Sequence, residues 1–269
     1  MGKVAMGWSD WGDAASLETI GNEPGSGAVA ANLQTMQPTE LWESTDLTNL
    51  HFELDRGSAE ALNVVALLYT NASSGATWRI RAADDQASLT DGSADYDSGS
   101  ITLRAAGADD TWERPHGVLW ISAGITRRWL RIDITDGSNP DGVFRAGRLV
   151  IGDLWQPARN AQYPIAFGPV DDTQHKRTDG GSLIPIHRGD PYQVADLRFK
   201  FLNEAESLEH VHDFRRRRGR RYDMLVLLDP EDASYLQHRT LYGLITRDDA
   251  LGHAGFQRFE HRVQIDELT

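Results

Sequence analysis

Apolar and polar residues alternate in short runs over the first 155 positions. Leu50, Phe52 and Leu54 alternate with polar neighbours in NLHFELD, Trp78, Ile80 and Ala82 in TWRIRAA, and Leu130, Ile132 and Ile134 in WLRIDIT. A period of two puts every second side chain on one face, so each run predicts a strand with one buried face and one wet face. LNVVALLY is apolar throughout, and ITLR, VLWIS and RLVIGDLW add further apolar segments, for seven or eight short strands in all. Arg131 and Asp133 fall on the outward face of their strand, and Leu149, Ile151 and Leu154 supply the apolar side of the strand that returns after the loop around Asn139-Pro140-Asp141-Gly142. The segments between strands, such as SSGA, TDGSADYDSGS and DGSNPDG, carry the Asp, Gly, Ser and Asn that strand reversals need. No helical pattern of three turns precedes residue 156.

Beyond that point the pattern changes. VADLRFKFL alternates at Ala195, Leu197, Phe199 and Phe201, and NEAESLEHVHDFRRRRG follows with capping-box spacing at Asn203 and Glu206. Leu208, Val211 and Phe214 fall near one helical face, Gly219 suits a C-terminal stop, and arginines in the last turn complement the helix dipole. YDMLVLL, LYGLIT and RFEHRVQID then predict further strands. The expected fold class is mainly β: an N-terminal jelly-roll β-sandwich and a C-terminal β-rich domain with one prominent α-helix.

Charge sharpens the division. The net charge is −13, but residues 1–155 hold 11 Lys+Arg against 22 Asp+Glu, while 156–269 hold 16 against 18. The step near Trp155, with the loop-like QPARNAQYP and DGGS beyond it, divides the chain into residues 1–157, a linker or extended segment at 158–182, and a domain at 183–269. An acidic surface repels phosphate backbones, so recognition of nucleic acid by the whole chain is not expected. With no cysteine, disulfides and thiolate metal sites are excluded, and a reducing compartment fits. The first residues lack a signal-peptide pattern, and the longest apolar run, residues 64–69, is far shorter than the roughly 20 residues of a membrane-spanning helix. No membrane partner is expected.

Catalytic and cofactor motifs are missing: there is no Gly-x-Ser-x-Gly elbow, phosphate loop, dinucleotide fingerprint or His-Glu-x-x-His helix. No catalytic residue, metal ligand or cofactor is therefore expected. His210 and His212 stand two apart on the predicted helix and so point to different sides, which suits helix surface better than chelation. Asp91, Asp95 and Asp97 with Gly99 have some of a calcium loop's composition, but the twelfth position from Asp95 is Ala106 where such a loop needs Glu, which favours a solvated acidic turn. All eight tryptophans lie at or before residue 155. Trp8, Trp11, Trp42 and Trp112 are candidates for stacking on sugar rings, whereas Trp78 and Trp120 sit within strand patterns and suit packing. FRRRRGRR places Arg215, Arg216, Arg217, Arg218, Arg220 and Arg221 together. These are either a solvated helix end or forks for carboxylates of an adjacent subunit.

The run from the Asn139-Pro140-Asp141-Gly142 loop through Gly147-Arg148-Leu149-Val150-Ile151-Gly152 to Trp155-Gln156-Pro157 resembles the end of a galactose-binding-like jelly roll found in tail proteins of long-tailed bacteriophages. Asn32-Leu33-Gln34, Trp42, the segment 62–69 and Ala76–Arg81 extend the resemblance over about residues 30–180. The strand–helix–strand order of the second half resembles the ring-forming domain of distal-tail and baseplate hub proteins. The resemblance implies a structural part of a virion tail tip, folded in the host cytoplasm and assembled as a homo-oligomeric ring that connects tail tube, hub and receptor-binding parts. The alternative is a carbohydrate-binding receptor module on host surface glycan, with a glycan depolymerase as the enzyme rival.

Overall fold

A computed structural model describes residues 2–21, 27–108 and 114–269. They form eighteen strands and only short helices. In chain order the strands are β1 (Ala5–Gly7), β2 (Ser16–Ile20), β3 (Trp42–Glu43), β4 (Leu50–Leu68), β5 (Thr77–Ala83) and β6 (Tyr96–Asp97). Next come β7 (Ile101–Thr102), β8 (Gly117–Thr135), β9 (Arg145–Ala146), β10 (Arg148–Gly152), β11 (Ala166–Val170) and β12 (Gln174–Arg177). The last six are β13 (Leu183–Ile186), β14 (Tyr192–Leu202), β15 (Asp223–Leu227), β16 (Thr240–Asp248), β17 (Gly252–Gly255) and β18 (Arg258–Glu267). The protein is mainly β.

The chain divides into two compact units, and each is built from two segments. The first comprises 1–156 and 224–240; the second comprises 157–223 and 241–269. The chain therefore crosses between units three times, where the charge step and loop composition suggest one cut. Local composition marks the crossing at Pro157, but Met224–Thr240 is a continuous apolar-to-polar run whose membership is fixed only by tertiary packing.

The first unit is a jelly-roll sandwich with strand order β10-β4-β8-β5-β6, β2 pairing with β4 and β7 with β5. NLHFELD and LNVVALLY, which read as two strands, are halves of one 19-residue strand, β4, and VLWIS and WLRIDIT are likewise halves of β8. The polar stretches between the halves were expected to break the ladder. Instead pairing continues from Glu60 opposite Arg127 to Leu62 opposite Ile125, with register shifts between Asp55 and Glu60 and between Leu62 and Val64. Bulges bend a strand without ending it. Gly57 and Gly124, at φ +83° and +62°, supply the backbone freedom at that bend.

Because of the bend, one strand pair furnishes both walls of the sandwich. Leu50, Phe52 and Leu54 from one half of β4 share a core with Leu62, Val65 and Leu67 from the other half. Ile121 joins from one half of β8, and Leu130, Ile132 and Ile134 from the other. Leu149 and Ile151 of β10 close this core, with β10 paired to β4 and not to β8. On the outer face Arg131 and Asp133 are less solvated than the alternation implies. Arg131 pairs with Glu53 and, at 2.8 Å, with Asp133, which also receives Arg81 at 2.6 Å. Such cross-strand ion pairs tie β4, β8 and β5 on the face away from the core.

In the second unit β18 pairs with both β14 and β16, β11 pairs with β14 as an edge, and β17 pairs with β18. β12 and β13 form a separate hairpin. The segment 158–182, expected as a linker or extended segment, thus holds one sheet strand and half of a hairpin. The predicted helix is present as a π-helical stretch at Glu206–His212 that continues as an α-helix at Asp213–Arg217. Its capping box is reciprocal: Glu206 N–H donates to Asn203 Oδ1 at 2.9 Å, and Asn203 N–H donates to Glu206 Oε2 at 3.2 Å. Gly219, at φ +59°, ends it in the left-handed conformation. The wider π winding turns Leu208 to solvent while Ser207, Val211 and Phe214 stay buried, so Leu208 does not share their face.

Candidate functional site

In the first unit the segment Met224–Thr240 carries an exposed aromatic ring with charged neighbours. Asp232 caps the 3₁₀ turn Ala233–Tyr235 by accepting from Ser234 N–H at 3.0 Å, and the short helix Leu236–Arg239 follows directly. Leu236 and Gln237 are buried, which anchors the turn. Gln237 fixes it further: its N–H donates to Ala106 O at 3.0 Å, and its Oε1 accepts from His116 N–H at 2.8 Å. Beside it, Trp120 Nε1 donates to Glu231 Oε1 at 2.9 Å.

This anchoring presents Tyr235 outward. Its side chain is 58% exposed, the exposed aromatic among the described residues of this unit. The His238 ring meets it edge-on with centroids 6.2 Å apart, and the Arg239 guanidinium lies 5.7 Å from its centroid. Arg239 Nη1 donates to Asp232 Oδ2 at 2.6 Å. That bond, helped by those from Ser234, holds the Asp232 carboxyl down to about 2, so it is an anion and a pure acceptor at neutral pH. The result is one ring face flanked by a cationic fork, a carboxylate and an imidazole, on a backbone braced from beneath. Such a set has the chemistry needed to stack on the apolar face of a pyranose and to hydrogen-bond its hydroxyls.

The tryptophans chosen from sequence fare differently. Trp11 is 1% exposed, with Nε1 donating to Arg127 O at 3.2 Å, and Trp42 is fully buried, edge-on to Phe52 at 4.6 Å. Neither offers a face to a glycan, because both rings fill the sandwich core. Trp8 is half-buried, and Trp112 lies outside the described residues. Tyr235 was missed because it lies beyond the charge step, among residues that read as belonging to the other domain. The Asp-x-x-Tyr spacing after Asp229-Pro230 was the available signal for a capped turn displaying a ring.

The acidic turn is engaged internally: Asp95 pairs with Arg127 at 3.1 Å, Asp97 with Arg79, and Asp91 accepts from Ser93 N–H at 2.8 Å. In the second unit Arg215 Nε binds Asp248 at 2.6 Å, Arg217 binds Asp213 at 3.3 Å, and Arg220 binds the carbonyls of Ile245 and Thr246. Arg218 and Arg221 lie over Tyr222, at 5.2 Å and 5.8 Å. Arg215 and Arg220 are therefore committed within their own unit, while Arg216 stands exposed. His212 Nδ1 is 3.8 Å from Asp213, its neighbour in sequence.

No family model and no curated protein matches this chain. Among solved structures, a chitosan-binding module from a Paenibacillus sp. IK-5 chitosanase/glucanase is 15% identical at TM-score 0.36, covering 51% of this chain and 94% of its own. A carbohydrate-binding module, CBM32-3, from a family 31 glycoside hydrolase of Clostridium perfringens is 14% identical at TM-score 0.39, covering 52% and 91%. The C-terminal domain of a Bacteroides fragilis chitobiase is 16% identical at TM-score 0.39, covering 53% and 95%. The chain spans only 27% of another match, SpGH29. Likenesses this remote assign no ligand to this chain.

Proposed function

We propose that this protein is a glycan-binding component whose first unit holds a pyranose against Tyr235 without cleaving it. The observation that carries the reading is the braced, outward Tyr235 ring with Asp232, His238 and Arg239 around it. Oligosaccharides containing glucosamine or fucose are the first to test, since a chitosan-binding and a fucose-binding module are among the structures matched. Titration of the intact protein against such a panel should find a binder, and Tyr235→Ala should weaken it about fivefold, the loss of one stacking contact worth about 1 kcal/mol. The melting temperature should stay unchanged, because the ring is exposed. Absence of binding across the panel, or undiminished binding by the variant, would reject this reading.

A second reading, an assembly role of the kind that the sequence resemblance implies for a phage tail tip, rests on a different observation. The β12–β13 hairpin exposes Leu183, Ile184 and Ile186. Exposed aliphatic clusters mark contact surfaces. Sedimentation of the protein should then show a closed oligomer that Ile184→Asp dissociates; a monomer at all concentrations would count against the ring.

A further inference from the structure

The arginine run surrounds a cleft that the glycan reading leaves unused. It is an open depression lined by His212, Arg215, Arg216, Gly219, Arg220 and Asp248, all within the second unit, with a volume of about 390 Å³. The left-handed Gly219 makes this possible. It breaks the helix so that Arg220 approaches from a second direction, while Arg215 and Arg216 come from the last helical turn.

Two of the three guanidinium groups, those of Arg215 and Arg220, are held in place before any ligand arrives. Asp248 binds Nε of Arg215 at 2.6 Å and lies 3.5 Å from Nε2 of the buried His261, and the Ile245 and Thr246 carbonyls hold Arg220. Arg216 has no protein partner among the described residues. Three guanidinium groups and one carboxylate leave two positive charges on the cleft wall. That excess matches a phosphate monoester, which carries nearly two negative charges near neutral pH. A tetrahedral oxyanion can accept from forks on several sides, whereas a carboxylate offers two coplanar oxygens.

We infer that this cleft binds a tetrahedral oxyanion, inorganic phosphate or the phosphate group of a monoester, with Arg216 as the free donor and Arg215 and Arg220 as pre-positioned walls. Calorimetric titration of the intact protein with inorganic phosphate and with glycerol 2-phosphate, against acetate at matched ionic strength, provides the test. Both phosphates should bind and acetate should not; binding of inorganic phosphate alone would assign the site to the free ion, and of both to the phosphate group itself. Arg216→Ala should weaken binding at least tenfold. Arg217→Ala removes the same charge from outside the cleft and should change affinity less than twofold, as should Tyr235→Ala. Silence with phosphate, equal binding of acetate, or equal losses from Arg216→Ala and Arg217→Ala would each overturn the inference.

Discussion

His116 Nδ1 accepts a hydrogen bond from Tyr69 N–H at 3.1 Å, so the ring must be neutral in the folded protein. Burial agrees, holding its pKa down to about 4 against an ordinary value of 6.5. The unfolded chain therefore takes up a proton that the folded one refuses between those values. Stability is full above pH 6.5 and falls as the pH drops toward 4, by about 3 kcal/mol from this residue. Denaturant midpoints measured across that window should decline steeply in the wild type and less so in His116→Gln. His261, whose pKa burial also lowers, keeps part of the slope. A second residue-scale prediction concerns Arg148, 1% exposed, which binds Asp13 at 2.8 Å and Leu33 O at 3.2 Å. Asp13→Ala leaves a buried cation without its carboxylate and should cost about 3 kcal/mol in denaturant unfolding. Neither feature was legible in the sequence. In GRLVIG nothing local marks Arg148 as buried, and only the fold brings Asp13 and the Leu33 carbonyl against it.

Local signals were most informative at the scale of elements. Asn203, Glu206 and Gly219 mark the start and stop of a helix by chemistry confined to neighbouring residues, and the structure forms those contacts. Asn203→Ala should therefore destabilise the second unit by about 1 kcal/mol, seen as a lower thermal midpoint. What eluded the pattern was continuity. The polar stretch of β4 between Asp55 and Glu60 has the composition of a turn, yet it only bulges out of register, and pairing with β8 resumes at Glu60 opposite Arg127 without a chain reversal. The same limit hid the candidate site. Stacking residues were sought where tryptophan was dense, but bulky rings near alternating strands are what a sandwich core consumes, as Trp11, Trp42 and Trp78 demonstrate.

For the whole molecule, a fragment ending at residue 157 lacks β15, the partner of β1 across Ala5–Gly7 and Leu225–Leu227, and lacks the Gln237 clamp on Ala106 and His116. It should melt well below the intact chain, and adding residues 224–240 through a short linker in place of 158–223 should recover much of the loss. This interleaving also sets an order of events during synthesis. The ribosome makes the sandwich strands first, but their finishing piece emerges only after the first segment of the second unit, and that unit in turn waits for residues 241–269. Each half-built body must persist, with an unfilled seam, while the other is being made. A pause in translation shortly before residue 224 would therefore leave both seams open to cellular chaperones at the same moment.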